Sequence, residues 1–234
     1  MRLKIKFAPS TQPIQRNTQH IVSWLHKTLG TNNKYHKVIN KIYSISGIVG
    51  GIKNEDHTIS YLKGATIFIS TEDMEVVRLI NKNLKVALLA DELEAFSVTS
   101  TMDEAFLNDE LNYFMTDLNG IFLYKRTEKG YSRNSVIYTQ NEWVEEINIQ
   151  VKNRLLSLKP NLDLENFYID ISDNERNRLV KSNYKDILLL SSNVTLRIYG
   201  SIEAKKLILN YGIGHLTGSG YGCVYPTQLV DEYR

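Results

Sequence analysis

An order of strand and helix patterns that occurs twice along the chain is the strongest constraint on its fold. In the first half, Leu3, Ile5 and Phe7 alternate with basic residues, which is typical of an edge-like strand. A helix, the strands IYSISGIV and ATIFIS, a second helix begun by Ser70 and Asp73 in capping-box fashion, and the strand ELEAFSVTS follow. The pattern therefore predicts the order βαββαβ.

The first helix is predicted from apolar residues at helical spacing. Asn17 or Thr18 is available as its amino-terminal cap and Gly30 as its terminator. The stripe expected to face the core consists of Ile21, Trp24, Leu25, Thr28 and Leu29.

The same order recurs after an acidic stretch, Asp103 to Asp117, which we interpret as a connection between domains. The strand GIFLYKR, a long amphipathic helix ending before Pro160, the strands LDLENFYIDI and NVTLRIYG, a short helix from Ser201 to Asn210, and the strand YGCVYP follow. The simplest fold is α+β, with two tandem ferredoxin-like (RRM-like) domains over residues 1–110 and 111–234. Each would be a four-stranded antiparallel sheet backed by two helices.

The charges are distributed unevenly along the 234 residues, although the net charge is only +2. Residues 1–50 hold eight Lys or Arg and no acid, whereas residues 51–117 hold five basic and thirteen acidic residues. Such a basic block suits a polyanion such as nucleic acid, and a solvated basic face is the other interpretation. The composition, 42% hydrophobic and 23% charged, excludes collagen-like and low-complexity classes.

The single cysteine, Cys223, can neither close a disulfide within the chain nor supply the paired thiolates of a structural zinc site. The histidines lack metal-ligand spacing, and Asp91, Glu92 and Glu94 fit a solvated strand entrance better than a two-metal cluster. We therefore expect no metal and no cofactor. The amino terminus MRLKIKFAPS lacks a signal or membrane-spanning stretch, so the sequence predicts a cytoplasmic protein without a membrane partner.

The segment GIGHLTGSGYG concentrates five of the thirteen glycines between a predicted helix and the last strand. Glycines permit positive φ and let a phosphate approach backbone N–H groups, so such a loop can form an anion nest. No Gly-Lys-Ser/Thr follows, and the segment enters a strand rather than a helix, so neither a Walker loop nor a dinucleotide fingerprint is present. A helix cap followed by a bulge is the structural alternative, and Gly212 alone fits the cap.

The carboxy-terminal sequence IYGSIEAKKLILNYGIGHLTGSGYGCVYP resembles the glycine-rich signature of the RAMP superfamily. It is most similar to the CRISPR-associated endoribonucleases of the sixth Cas family, which cut repeat transcripts into guide RNAs. The resemblance extends to the amino-terminal strand and helix, to TDLNGIFLYKR and to the overall length. It implies two tandem ferredoxin-like domains, in agreement with the element order.

The resemblance implies cleavage of CRISPR repeat RNA by its own 2′-hydroxyl, giving a 2′,3′-cyclic phosphate and a 5′-hydroxyl without a metal. By position it makes His36 the catalytic histidine and Lys41 the catalytic lysine. His26 stands where the family has a tyrosine near the end of the first helix. Two imidazoles acting as base and acid, or Tyr35 acting through a hydrogen bond, are both open.

RNA binding is expected from the basic block, from the glycine loop and from basic residues of the second half such as Arg176, Arg178, Lys181 and Lys185. His20 is a weaker catalytic candidate than His26 and His36, and His57 fits a turn. The predicted RNA-binding residues are Lys34, Lys37, Arg197, Gly212, Gly214, His215, Gly218, Ser219, Gly220 and Gly222.

Two other functions remain open at this point. One is a non-catalytic RAMP-type RNA-binding subunit of a CRISPR effector complex, which would have other effector subunits as partners. The other is a protein-interaction domain with an incidental basic patch, whose binding would be insensitive to salt. The expected assembly is a monomer or a homodimer.

Overall fold

The computed structural model describes residues 1–15, 18–30, 42–101, 103–127, 130–184 and 187–229. The elements of the first half are β1 (Arg2–Phe7), β2 (Ser10–Gln15), α1 (Gln19–Leu29), β3 (Tyr43–Ile45), β4 (Ile52–Lys53), β5 (Thr58–Tyr61), β6 (Ala65–Thr71), α2 (Met74–Asn83) and β7 (Ala95–Thr101). The elements of the second half are β8 (Leu111–Thr116), β9 (Leu123–Thr127), β10 (Gly130–Val136), α3 (Trp143–Leu158), β11 (Tyr168–Ile171), β12 (Arg178–Tyr184), β13 (Ile187–Asn193), β14 (Thr195–Tyr199), α4 (Ile202–Tyr211) and β15 (Val224–Pro226).

Each half contains a four-stranded antiparallel sheet with the same strand order. The first sheet runs β3-β6-β1-β7 and the second runs β11-β14-β8-β15. Numbered within its own half, each sheet has the order 2-3-1-4, with one helix before its second strand and one before its fourth. The protein is therefore an α+β fold of two tandem ferredoxin-like units, as the sequence predicted.

Helix α1 forms where the apolar stripe predicts it. All five stripe residues, from Ile21 to Leu29, are buried. Thr18 is the N-cap residue but makes no side-chain capping hydrogen bond, whereas Gly30 ends the helix with φ 93° and donates its N–H to the Lys27 carbonyl. Asn17, the other predicted cap, lies outside the described residues.

Helix α2 is capped by only one of the two predicted residues. The Asp73 side chain accepts the N–H of Glu75 at 2.8 Å, as an N-cap residue does. Ser70 belongs to strand β6, where its hydroxyl accepts a hydrogen bond from the Arg2 side chain. The predicted capping box is therefore wrong, although the helix does begin next to Asp73, which caps it alone of the two.

The prediction of an edge-like first strand is wrong. Strand β1 is central in its sheet, paired to β6 on one side and β7 on the other. Its leading cation, Arg2, is only 2% exposed and forms a 2.6 Å ion pair with the buried Asp103. The alternation of basic and apolar residues identified the two faces, but the face bearing the cations is partly covered.

The acidic stretch from Asp103 to Asp117 is not simply a connection. It contains a short 3-10 helix at Asp103–Phe106 and then β8, a central strand of the second sheet. The strand predicted in GIFLYKR exists as β9, but it pairs with β10 outside the main sheet. Strand β8 was not predicted because acidic residues precede it, although its Phe114 is completely buried.

Two accessory sheets were not predicted. Strands β2, β5 and β4 form a three-stranded sheet in the first half, and β12 and β13 form a hairpin in the second. One hydrophobic core lies within each half, and a smaller cluster of Val49, Phe68, Met115 and Tyr225 joins residues of the two. The two sheets thus meet through residues on the faces away from their helices.

Candidate functional site

The glycine-rich loop, residues 212–223, connects α4 to the last strand β15. Gly212 caps α4 with φ 74° and donates its N–H to the Ile208 carbonyl at 2.8 Å, which confirms the predicted cap. Leu216 then adopts a left-handed conformation with φ 60°, uncommon for a residue with a side chain, and a 3-10 turn spans Thr217–Ser219. Capping accounts for one glycine of the loop.

Close packing accounts for two further glycines. A Cβ on Gly222, which has φ 66°, would overlap the carbonyl oxygen of Ile213. A Cβ on Gly214, which has φ 83°, would lie 2.7 Å from a methyl carbon of Ile121 and 2.8 Å from the Phe122 carbonyl oxygen. Positions 214 and 222 therefore require glycine for the fold itself, whatever the loop binds.

Backbone hydrogen bonds fix the two ends of the loop. The N–H of Ile213 donates to the Gly222 carbonyl, and the N–H of Gly222 donates to the Gly120 carbonyl, both at 2.8 Å. The side-chain amide of Asn119 donates to the Gly220 carbonyl at 2.8 Å. Residues 119 and 120, in the turn before β9, thus hold the loop through hydrogen bonds.

His215 is held in a neutral state within the loop. Its Nδ1 accepts the backbone N–H of Tyr124 at 3.2 Å, and the backbone N–H of His215 donates to the Phe122 carbonyl at 2.8 Å. Burial, with a further contribution from the positive charge of Arg154, lowers the pKa of His215 from 6.5 to about 4. At neutral pH this imidazole is therefore a dipolar hydrogen-bonding group rather than a cation.

The loop packs against the two elements that bracket residues 31–41. Its 3-10 turn contacts both α1 and β3. A Cβ built on Gly220 would lie 3.5 Å from the Ile21 side chain of α1, and one on Gly212 would lie 3.0 Å from Cβ of Ser44 in β3. The loop therefore lies against the first turn of α1, at Ile21, and against β3, at Ser44.

His26 lies on the last turn of α1, off the buried stripe, and is half-buried. His20, at the start of the same helix, has its pKa lowered because burial outweighs the nearby Asp91 carboxylate. The remaining predicted catalytic residues, together with three residues predicted to bind RNA, lie outside the described part of the chain: Lys34, Tyr35, His36, Lys37, Lys41 and Lys185.

A groove of 1220 Å³ runs between the two halves beside the loop. It is lined by residues of β4, β5 and the strand connections around them in the first half and by the start of β12 in the second. Asn119, which holds Gly220, and the acidic residues Asp117 and Glu175 also line it. The groove brings together three of the basic residues singled out in the second half with a lysine and a histidine of the first: Arg176, Arg178, Lys181, Lys53 and His57.

Arg197 is not brought to this site. It lies on β14, where its neighbours Leu196 and Ile198 face the core, so its side chain is on the sheet face away from the helices. There it forms an ion pair with Asp170 and donates to the Ile171 carbonyl. Within the loop, Gly218, Ser219 and Gly220 are buried, and the Ser219 hydroxyl donates to the hydroxyl of Tyr184 at 3.3 Å.

Two side chains of α3 hold the loop and were not singled out from the sequence. Gln150 exchanges hydrogen bonds with both backbone groups of Gly214, and Arg154 donates to the Thr217 hydroxyl at 2.9 Å. Their spacing of four residues places them on one helix face, but no local pattern indicates which distant segment that face will meet.

Across the residues that the structure describes, no group of three or more His, Cys, Asp or Glu side chains is arranged to hold a metal ion. None of the helices in those same residues has the length and apolar character needed to cross a membrane.

The tandem ferredoxin-like units, with a glycine-rich loop before the last strand, define a RAMP-type protein. The family described as CRISPR associated protein Cas6, C-terminal, matches residues 101–226, which is more than half of the chain. The protein therefore belongs to the Cas6 family. Comparison with curated proteins finds no significant sequence match.

Solved structures share the fold over nearly the whole chain. The product of a Cas6-related gene from Pyrococcus furiosus superposes with a TM-score of 0.78 at 18% identity, covering 97% of this chain and 98% of that one. A RAMP protein described as binding different RNA substrates gives 0.77 at 16% identity, covering 97% and 99%. A Thermus thermophilus Cas6 in a product complex gives 0.63 at 11% identity, covering 96% and 98%.

Proposed function

We propose that this protein binds CRISPR repeat RNA and cleaves it without a metal ion. Membership of the Cas6 family supports repeat-RNA processing, and relatives of the same fold are described as RNA-binding or as product complexes. The observation that carries the proposal is the packing of the glycine loop against α1 and β3. The loop, a candidate phosphodiester-binding element, thus contacts the helix that carries His26 and the strand that begins two residues after the segment that carries His36.

The proposed reaction uses the RNA's own 2′-hydroxyl as the nucleophile. A base removes its proton, the oxygen attacks the adjacent phosphorus, and the bond to the 5′ oxygen breaks as an acid protonates that oxygen. The products are a 2′,3′-cyclic phosphate and a 5′-hydroxyl. In this proposal His26 and His36 divide the roles of base and acid, Lys41 stabilises the charge that develops on the phosphate, and Tyr35 supplies a hydrogen bond.

RNA binding in this proposal combines the glycine loop with the basic groove. Gly212, Gly214 and Gly222 are fixed by capping and packing, which leaves the middle of the loop, Gly218 to Gly220, to bind a phosphate. These three residues are buried in the structure, so the proposal requires the loop to open when RNA binds. His215 would contribute a neutral hydrogen-bonding group rather than a charge.

Phosphates further along the RNA would be bound by the basic residues of the groove, and Lys34 and Lys37 of the first half would add to them. Arg197 would contact RNA only if the RNA also reached the helix-free face of the second sheet beside β11. We place the boundary between the two domains at residues 110 and 111, because each half has its own hydrophobic core.

The direct test is incubation of labelled repeat RNA with the protein in EDTA. The proposal predicts cleavage at one position, with an upstream product that ends in a 2′,3′-cyclic phosphate. RNA carrying a 2′-deoxy nucleotide at the cut position should bind but stay intact, because it lacks the nucleophile. Cleavage of that RNA, or cleavage that stops in EDTA, would overturn the mechanism.

Two variants test the assigned histidines. His36→Ala and His26→Ala are each expected to lower the single-turnover rate about 10²- to 10⁴-fold, the usual contribution of a proton-transfer group. His20→Gln on the same helix serves as the matched control and should keep the wild-type rate. Tight RNA binding without cleavage by the wild-type protein would instead favour the non-catalytic RNA-binding subunit.

A further inference from the structure

Five of the twelve residues of the glycine loop lack a side chain, so neighbouring elements help to fix its shape. Helix α3 supplies two such neighbours, Gln150 and Arg154, on one face of the helix. The face next to it packs Ile147, Val151 and Leu155 into the second core, which fixes the helix against the sheet. Both polar side chains are thus presented to the loop from a rigid element.

Gln150 binds the backbone of Gly214 at two points. Its Nε2 donates to the Gly214 carbonyl at 2.9 Å, and its Oε1 accepts the Gly214 N–H at 3.2 Å. Because a side chain at position 214 would collide with Ile121 and Phe122, only the backbone at this position is available for recognition. A carboxamide matches this donor and acceptor pair, whereas a carboxylate would place an oxygen against the carbonyl oxygen.

Arg154 holds the loop three residues further on. One of its terminal nitrogens donates to the Thr217 hydroxyl at 2.9 Å, at the start of the 3-10 turn. Burial lowers the pKa of Arg154 to about 10, an effect that the nearby Tyr211 opposes, so the group remains a cation at neutral pH. A partly buried positive charge therefore lies against Thr217, next to the part of the loop proposed to bind phosphate.

We infer that Gln150 and Arg154 are positioning residues that hold the glycine loop in the shape that receives the phosphodiester, with Arg154 adding positive potential behind it. This inference rests on the proposed function for its link to cleavage. The clasp itself, by which we mean the hydrogen bonds of Gln150 to Gly214 and of Arg154 to Thr217, is present without RNA. Small displacements of a binding element can cost about 10²-fold in rate, so a clasp of this kind would affect catalysis without touching the reacting atoms.

The test compares four variants. Gln150→Glu keeps the size of the side chain but removes the donor to Gly214, and Arg154→Met keeps much of the length but removes the charge and the bond to Thr217. Arg154→Lys restores the charge and one donor, and Asn153→Ala, at an exposed position of the same helix, is the matched control. Single-turnover cleavage of repeat RNA, RNA affinity, the melting temperature and hydrogen exchange of residues 212–223 are measured for each.

We expect Gln150→Glu and Arg154→Met to speed amide exchange in residues 212–223 and to lower the single-turnover rate about 10- to 100-fold, while Asn153→Ala changes neither. Arg154→Lys should recover most of the loss. The pH profile of the rate should keep its shape, because the proton-transfer groups are untouched. Exchange and rates equal to those of Asn153→Ala would overturn the inference.

Failure of the proposed function would look different. A wild-type protein that cleaves no RNA would contradict the cleavage proposal, while exchange in the loop would still report on the clasp. The other outcome is that the variants cleave more slowly only in proportion to a lowered melting temperature, with no selective change in the amide exchange of residues 212–223. That result would give both residues a merely structural role and would overturn the inference.

Discussion

The two halves of the molecule use the same topological position in different ways. Between the second helix and the fourth strand, the first half has residues 84–94 and the second half has residues 212–223, segments of nearly equal length. The first closes on itself, because Leu89 and Leu93 exchange backbone hydrogen bonds around a turn at Ala90 and Asp91. The second extends to α1, β3, α3 and the β9 region.

The difference lies in where each segment finds its partners. The first buries Leu89 and Leu93 in the core of its own half and needs no glycine, even though Ala90 and Asp91 have positive φ. The second has glycines where backbone atoms approach closely, from the loop itself at Gly212 and Gly222 and from Phe122 at Gly214. Its polar contacts come from distant elements. The fold supplies the position, and the composition of the connection decides whether the position can become a binding site.

The largest expected effect is at Gly222. Gly222→Ala should destabilise the protein by more than about 4 kcal/mol or prevent folding, since its Cβ would overlap the Ile213 carbonyl oxygen. Gly220→Ala is the matched control: φ is also positive, but the nearest atom lies 3.4 Å away, so only about 1–2 kcal/mol of backbone strain is expected. Urea unfolding of both variants checks this, and equal losses would contradict a packing role specific to Gly222.

The second largest loss of stability is expected at the two ends of the glycine loop. Arg2 donates to the carbonyls of Leu209 and Val224, which flank the loop, as well as to Asp103. Arg2→Met should cost about 3–5 kcal/mol, because it leaves the buried Asp103 carboxylate without its cation.

Lys6→Met, at an exposed position on the same face of β1, is the control for Arg2→Met and should be nearly neutral. A second change, Asp103→Leu, should restore part of the loss in the Arg2→Met protein. If Arg2→Met unfolds at the same denaturant concentration as Lys6→Met, this link between the two halves contributes little.

The third effect is a pH dependence of the unfolding free energy, which we expect from the glycine loop and not from residues 84–94. His215 has a folded-state pKa of about 4 against an ordinary value of 6.5, so protons bind the unfolded chain preferentially between these values. Its contribution, at most about 3 kcal/mol, is fully present above pH 6.5 and is lost as the pH falls towards 4. His215→Gln should flatten the dependence of the unfolding free energy over this window.

His57→Gln, in an exposed turn, is the control for the pH experiment and should leave the slope as in the wild-type protein. Unfolding by urea at half-unit steps from pH 4.5 to 7.5 measures it. An unchanged slope in His215→Gln would mean that the imidazole is more exposed in solution than the structure shows.

The smallest effect is at the first connection. The turn at Ala90 and Asp91 has positive φ at both positions, a conformation that asparagine and glycine adopt more easily than alanine. Ala90→Asn should therefore raise the stability by about 0.5 kcal/mol, seen as a higher melting temperature with unchanged cleavage. A lower melting temperature would contradict the turn geometry.

Local patterns were sufficient for much of the fold. The spacing of Ile21, Trp24 and Leu25 identified α1 and its buried face, Gly212 was recognisable as a cap, and the repeated element order gave the ferredoxin-like units. Strand β8 was missed because its residues follow Asp109 and Glu110, whose charges resemble those of a linker. The periodicity of apolar residues shows which face of a segment is buried, but it does not show which other segment packs against that face.

The site was less predictable for the same reason. The burial of Arg2, the neutral state of His215 and the clasp of Gln150 and Arg154 all depend on contacts between residues far apart in sequence. The glycine-rich composition showed that the loop was special, but only the packing separates glycines that the fold requires from those in the middle of the loop. His26 could be placed on α1, while the assignment of His36 remains a prediction from the family resemblance.

A structure of the protein with uncleaved repeat RNA, blocked by 2′-deoxyribose at the cut position, would show which residues surround the phosphate to be cut. We predict that this phosphate touches the loop between Gly218 and Gly220, with the imidazoles of His26 and His36 on either side of it. A phosphate bound on another surface, or histidines more than one hydrogen bond away from its attacking and leaving oxygens, would contradict the proposed cleavage mechanism.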